Sequence, residues 1–311
     1  MFSVVTGGAG FIGSHLVDAL ARRGDRILVI DSLAAGTRDN LSAHLAGGTV
    51  QILEQDLLED GWQEKIRGAQ RVYHLAADPD VRQSAVSPEG QIRNNILATS
   101  RVLEAMRQEK VPEIAFTSTS TVYGEATVIP TPETYSPLEP ISVYGASKLA
   151  CEALISSYCH SFGMRSWIYR FANITGARSG HGVVPDFIEK LRKNPKELEI
   201  LGDGKQTKSY LDVQECVRAM LFTVERMNGP VNIVNIGSED WIDVTCIAEV
   251  VREEMHLPDA RFRYTGGERG WVGDVPKMQL AIDRLRSLGW RAELGSRESV
   301  RIAVRSILDT A

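Results

Sequence analysis

The chain has 311 residues, 43% of them hydrophobic and 24% charged, with 35 Lys and Arg against 40 Asp and Glu for a formal net charge of −5. That balance excludes a disordered or fibrous chain, and mixed-sign charges without a basic stripe exclude a footprint for nucleic acid or an anionic membrane. The length suits a large α/β domain with a smaller second lobe, and no apolar run approaches the roughly 18 residues of a membrane span.

Short runs rich in Val and Ile alternate with longer amphipathic stretches, the pattern of βαβ units building a parallel sheet. Strands are predicted at Phe2–Thr6, Arg26–Asp31, Val50–Asp56, Arg71–Ala77, Glu113–Thr119 and Arg165–Phe171. Helical periodicity runs through Gly13–Arg23, Gly90–Glu109 and Val143–Phe162. The expected fold is a doubly wound, Rossmann-type parallel sheet over residues 1–171. From 172 to 311 the rhythm changes to a smaller, interleaved α/β lobe. Helices are predicted near Val184–Lys193 and Val213–Met227, with a Gly-Asp-Gly turn at 202–204. Val231–Gly237 reads as one further strand, so part of 205–240 is expected to return to the first domain.

The first strand begins at about Phe2 and leaves no room for a leader peptide, so a cytoplasmic location is expected. Cys151, Cys159, Cys216 and Cys246 lack CxxC spacing and read as reduced thiols, without disulfide or metal roles.

Gly7, Gly10 and Gly13 follow the first strand and open a helix, so the backbone can approach a pyrophosphate at the helix N-terminus. Asp31 ends the second strand, where a carboxylate accepts ribose hydroxyls and repels a 2′-phosphate, which favours NAD over NADP. Arg38 reads as a solvated loop charge. Asp56-Leu57 is placed toward the adenine, and Ala76-Ala77 follow His74 with small residues where the cofactor passes. His74 itself reads as a packed histidine.

Tyr144 and Lys148 stand one helical turn apart, so an ammonium lies near a phenol. A phenol near pKa ~10 is a poor base at neutral pH, and the cation, aided by a bound nicotinamide's positive charge, is expected to lower it. Five consecutive hydroxyl residues, Thr117-Ser-Thr119-Ser-Thr121, end the fifth strand at the edge where such folds bind ligands. One of them is expected to touch substrate.

These motifs resemble the extended short-chain dehydrogenase/reductases, and among them most closely the UDP-glucose (UDP-galactose) 4-epimerase group. The likeness runs from Thr6-Gly-Gly-Ala-Gly-Phe11-Ile12-Gly13 through Asp31, Asp56-Leu57, Asn95, Val122-Tyr123-Gly124 and Tyr144-Gly-Ala-Ser-Lys148. It continues in Arg170-Phe-Ala-Asn173, Gly202-Asp-Gly204, Tyr210-Leu-Asp-Val213, Asn235-Ile-Gly237, Arg269, Gly273-Asp274 and Leu288-Gly-Trp290. The resemblance implies NAD held by Gly7, Gly10, Phe11, Ile12, Gly13, Asp31, Ser32, Asp56, Leu57, Ala76, Ala77, Asn95, Thr117, Tyr144 and Lys148. It makes Tyr144 the base, Lys148 its orienting cation, and Thr119 or Thr121 the hydroxyl on the sugar's 4-hydroxyl, the two sharing the role. Asn173, Lys208, Arg269 and Asp274 fall to a UDP-sugar substrate, and a homodimer packed through the helices of 90–109 and 143–162 is implied.

The implied reaction is epimerisation at C4 through a 4-keto sugar, as in galactose metabolism, with NAD retained between turnovers. Three departures stand out: Lys208-Ser209 replaces a common Arg-Asp, Ser32 replaces an Asn, and Gly270-Trp271-Val272 is inserted before Gly273-Asp274. Among rivals, a 4,6-dehydratase or a UDP-glucuronate-acting enzyme of the decarboxylase kind usually carries a carboxylate immediately before Val-Tyr-Gly, where this chain has Ser120 and Thr121. A non-catalytic NAD-binding sensor usually lacks the Tyr and Lys. Which sugar is preferred, between glucose, an N-acetylhexosamine and glucuronate, stays open.

Overall fold

The computed structural model describes residues 1–81, 83–271 and 273–309, so Val272 of the inserted stretch lies outside the described residues. In chain order the structure opens with β1 (Phe2–Thr6), α1 (Phe11–Arg22), β2 (Arg26–Asp31), α2 (Ser42–Leu45), β3 (Val50–Glu54) and β4 (Arg71–His74). Then come α3 (Pro88–Gln91), a π-helical segment (Ile92–Leu97), α4 (Ala98–Gln108), β5 (Glu113–Thr119), α5 (Val143–Phe162) and β6 (Arg165–Phe171). The later elements are β7 (Asn173–Thr175), α6 (Val183–Lys193), β8 (Glu197–Ile200), β9 (Thr207–Lys208), β10 (Tyr210–Asp212) and α7 (Val213–Arg226). They end with β11 (Val231–Ile236), β12 (Ile242–Asp243), α8 (Val244–Glu254), β13 (Arg261–Tyr264), β14 (Lys277–Met278), α9 (Asp283–Ser287) and α10 (Ser296–Asp309).

One seven-stranded sheet runs in the order β11-β6-β5-β4-β1-β2-β3. The strands β3-β2-β1-β4-β5 pair in parallel, with Val4 opposite Leu28 and Val72. The order reverses at β1, which places the switch point of a doubly wound α/β fold beside the glycine loop. Strands covered on both faces read as continuous apolar runs, and Val4, Val5, Val29, Ile30 and Ile114 have no exposure at all.

The chain forms two compact units. One comprises residues 1–122, 142–170 and 220–234, the other residues 123–141, 171–219 and 235–311. The first has a core of Val4, Ile30, Val72, Phe116 and Ile168 from the sheet against Val102, Met106, Ile155 and Cys159 from α4 and α5. The second packs Phe187 and Ile188 of α6, Leu198 and Ile200 of β8, Ile247 and Val251 of α8, and Val300 and Val304 of α10. Side chains this deep contribute about 1.5–3 kcal/mol each relative to exposure.

Several predicted elements differ from those observed, among them the helix predicted from Gly13, which starts at Phe11. The strand predicted to Asp56 ends at Glu54, and Asp56 instead accepts from the Leu58 amide at 2.9 Å in a side-chain turn. The strand predicted to Ala77 ends at His74, because the backbone of Ala76 must leave the sheet to pass the glycine loop. The helix predicted over 90–109 widens into π-helical turns over Ile92–Leu97, with Asn95 buried inside them. α5 follows its prediction residue for residue. Ser142 caps it by accepting from the Gly145 amide at 3.1 Å, and left-handed Gly163 stops it.

No helix among the described residues is long and apolar enough to cross a membrane. All four cysteines are free thiols.

Candidate active site

The glycine loop is a cradle that side chains would fill. Gly7 has φ +69°, and a Cβ there would lie 2.6 Å from the Ala76 amide nitrogen. A Cβ on Gly13 would run into the carbonyl oxygen of Gly7, so α1 can start against the loop only without one. The bare backbone beside Phe11, Ile12 and Gly13 leaves first-turn amides, which have no partner inside a helix, for an anion.

Asp31 is fixed from two sides. Its Oδ2 accepts from the Ala9 amide and its Oδ1 from the Leu33 amide, each at 2.9 Å, so each oxygen keeps a second lone pair for a ribose hydroxyl. Arg38 is held by Glu54 at 2.8 Å, so this guanidinium is already paired with a carboxylate. Leu57 is buried, while Asp56 and Ser32 are exposed and Ala76 and Ala77 half-buried. The arrangement fits a dinucleotide with a free 2′-hydroxyl.

His74 is a packed histidine. Its Nδ1 bonds Thr6 Oγ1 at 2.7 Å and its Nε2 bonds Thr99 Oγ1 at 2.9 Å, and burial, with Lys148 nearby, pushes its pKa down to about 3.

Asn95 spends its carboxamide inside the protein. Its Oδ1 accepts from the Asp78 amide at 2.8 Å, and its Nδ2 donates to Gln91 at 2.8 Å and to Ser147 Oγ at 2.9 Å. Ser147 in turn donates to the Tyr144 carbonyl at 2.8 Å, so the π-helical segment braces the first turn of α5.

The hydroxyl run is sorted by the strand end. The Thr119 hydroxyl lies beside the Tyr144 phenol and favours its phenolate, and Thr121 donates to Thr119 Oγ1 with both its amide, at 3.2 Å, and its hydroxyl, at 3.1 Å. Ser118 turns inward and donates to Glu152 at 2.5 Å. Thr117 presents its carbonyl, which accepts from Lys148 Nζ at 2.9 Å, and the ammonium lies 4.7 Å from the Phe116 ring.

One electrostatic expectation is corrected. The Tyr144 phenol is not lowered but raised to about 12, because burial disfavours the phenolate more than the Thr119 hydroxyl favours it, and the Asp78 charge adds to the rise. The Lys148 ammonium gives one of its three donors to the Thr117 carbonyl, and burial lowers its own pKa to about 8.

In the second unit Asp274 gathers two cations. Its Oδ1 accepts from Lys208 Nζ at 2.6 Å, its carbonyl from Arg269 at 2.8 Å, and its Oδ2 from the Gly270 amide at 3.1 Å. Arg269 also pairs with Glu125 at 2.5 Å, and Lys208 lies 5.3 Å from the Trp271 ring. Asn173 donates its side-chain amide to the Ser209 carbonyl at 3.3 Å. Tyr123 of the Val-Tyr-Gly turn bonds Asn235 at 2.7 Å, tying two of the sequence motifs together.

Sequence reasoning passed over Glu125, Gln206 and the pair Glu152–Arg170. Both polar atoms of the Gln206 side chain are buried with no hydrogen-bond partner among the described residues. A polar residue on the buried stripe of α5, four past Lys148, was the available signal for Glu152.

A glycine cradle on a doubly wound sheet, with a tyrosine and a lysine at the carboxyl edge of β5, defines a nucleotide-dependent enzyme acting on an alcohol. The chain belongs to the NAD dependent epimerase/dehydratase family, whose profile matches residues 3–237. It is 33% identical over 310 residues to a putative UDP-glucose 4-epimerase of Methanocaldococcus jannaschii, covering 97% of this chain and 96% of the relative. It is 30% identical over 312 residues to UDP-glucuronic acid decarboxylase 4 of Arabidopsis thaliana, covering 97% of this chain and 67% of that one. A crystal structure of a UDP-galactose 4-epimerase superposes with a TM-score of 0.90 at 41% identity, covering 100% of this chain and 99% of the other.

Proposed function

We propose that this protein interconverts C4 epimers of a UDP-sugar of the UDP-glucose/UDP-galactose type, with NAD retained between turnovers. NAD, when bound, supplies a reversible hydride acceptor for C4 of the sugar. Gly7, Gly10 and Gly13 with the α1 amides are assigned its pyrophosphate, and Asp31 its ribose.

Tyr144 takes the proton of the sugar's 4-hydroxyl and returns it, with Thr119 donating to the phenol oxygen and Thr121 supporting Thr119 from behind. Lys148 orients the nicotinamide ribose and supplies positive charge. Asn173, Lys208 and Arg269 hold the UDP, with Asp274 keeping both cations in place.

The observation that carries this reading is the Thr121–Thr119–Tyr144 chain of neutral hydroxyls. It can pass one proton at one oxygen. It carries no carboxylate at the two positions before Val122, where elimination across C5 and C6 requires one. The similarity to a glucuronate decarboxylase supports a second reading, in which the same oxidation is followed by loss of carbon dioxide.

Purified protein incubated with UDP-galactose, UDP-N-acetylgalactosamine and UDP-glucuronate without added cofactor separates these readings by NMR. A C4 epimer approaching a fixed ratio supports the proposal. A decarboxylated or 4-keto-6-deoxy sugar replaces the reaction class, and no product on any of the three favours a sensor.

We also infer a homodimer through α4 and α5, whose flanking Ile92 and Leu97 are 52% and 49% exposed. Light scattering of the purified protein tests it, with a monomeric mass as the contrary result. The four free thiols are consistent with a reducing, cytoplasmic setting.

A further inference from the structure

Three successive turns of α5 carry Tyr144, Lys148 and Glu152, a spacing that puts all three on one stripe of the helix. Each meets the end of β5. Thr119 lies beside the phenol, the Thr117 carbonyl accepts from the ammonium at 2.9 Å, and the Ser118 hydroxyl donates to Glu152 Oε1 at 2.5 Å. Behind them Arg170 of β6 grips Glu152, with Nη2 to Oε2 at 2.6 Å and Nε to Oε1 at 3.0 Å. Glu152 and Arg170 are 4% and 3% exposed. A buried ion pair of this kind adds little net stability over an apolar pair of the same volume, so packing alone does not account for it.

We propose that Glu152, clamped by Arg170, is a positioning residue for the reaction: through Ser118 it sets the end of β5 against the stripe of α5 that carries Tyr144 and Lys148. The assignment of the reaction rests on the epimerase reading; the geometry of the clamp does not.

The groups facing Lys148 are Cys151 and Glu152 from its own helix and His74 from β4, with the Phe116 ring from β5. Tyr144 faces Asp78, Cys151 and Thr119. Burial keeps His74 and the Cys151 thiol neutral near pH 7, which leaves Glu152 as the anion that opposes the desolvation of Lys148.

The test compares NAD-loaded wild type with Ser118→Ala, Glu152→Gln and the double variant Glu152→Gln/Arg170→Met, which removes both buried charges in case Glu152→Gln alone fails to fold. Turnover of UDP-galactose is followed against pH. Separately from turnover, the Cε resonance of Lys148 is titrated by carbon-13 NMR and assigned with Lys148→Met.

In Glu152→Gln and the double variant, kcat is expected to fall about tenfold or more with KM within about twofold, a transition-state loss without a binding loss. The Lys148 titration is expected to move down in Glu152→Gln, which leaves the Arg170 charge unbalanced, and to stay close to wild type in the double variant, which removes both charges. Ser118→Ala is expected to lower kcat by about threefold to tenfold without moving that titration. A lower melting temperature with unchanged kcat and an unchanged Lys148 titration makes the clamp merely structural and overturns the proposal. Absence of turnover in the wild type overturns the epimerase reading instead, and the NMR titration still decides the clamp.

Discussion

Lys148 donates its ammonium to the carbonyl of Thr117 at 2.9 Å, so the lysine is anchored to the strand end that also presents Thr119 to Tyr144. Cation, phenol and hydroxyl are therefore held by one strand–helix contact. Before cofactor binds, burial keeps the phenol protonated, with its pKa raised to about 12. Lys148 and the nicotinamide ring of bound NAD are the positive charges that favour its phenolate. Tyr144→Phe is expected to lower kcat by about 10²–10⁴ with the fold intact, Thr119→Ala by about 10–100, and Thr121→Ala by only about 2–5. Steady-state kinetics check the ranking, and equal losses at Thr119 and Thr121 would contradict the relay order.

The glycine cradle makes a prediction separable from chemistry. Gly13→Ala puts a methyl group against the Gly7 carbonyl, and relieving that overlap moves the loop at a cost of about 1–3 kcal/mol. The variant is expected to purify without NAD and to melt earlier. Absorbance of released nucleotide after denaturation reads the first, and calorimetry the second.

His74 predicts an acid limb of stability. Its folded pKa of about 3 lies below the ordinary 6.5, so between those values the unfolded chain binds the extra proton. The sign follows: its contribution is fully present above pH 6.5 and is lost as pH falls toward 3. A drop on the order of 1–2 kcal/mol is expected from pH 7 to pH 5, smaller in His74→Gln. Urea denaturation at the two pH values measures it.

Arg269 and Glu125 form a half-exposed pair 2.5 Å apart, so a diphosphate must take the guanidinium from a carboxylate. Exposed pairs are worth about 0–1 kcal/mol, so Glu125→Gln is expected to tighten UDP binding by up to about fivefold. Arg269→Ala is expected to weaken it by about tenfold or more, the loss of a charge-assisted contact. Calorimetric titration with UDP reads both, and weaker binding in Glu125→Gln would mean that Glu125 positions Arg269 instead of competing for it.

Much of this was legible in the sequence because covalent spacing dictates it. Gly7, Gly10 and Gly13 announce a bare backbone, and Tyr144 and Lys148 share a helix face whatever surrounds them. The Ser142 cap and Gly163 stop made α5 readable to the residue. What stayed hidden depends on contacts distant in the chain. The inward turn of Ser118, the clamp of Glu152 by Arg170 and the Arg269–Glu125 pair join residues 18 to 144 positions apart. The raised phenol of Tyr144 had the same origin: spacing shows that a lysine is near, while only packing shows which oxygen it has already chosen.

The central claim is that hydrogen leaves C4 of a UDP-sugar and returns to the same carbon from the opposite face. Turnover of UDP-galactose deuterated at C4, with no cofactor added, tests it most directly. The account predicts UDP-glucose that keeps its deuterium at C4, and no conversion with Tyr144→Phe. Loss of the label to solvent, or conversion by Tyr144→Phe at the wild-type rate, would contradict it.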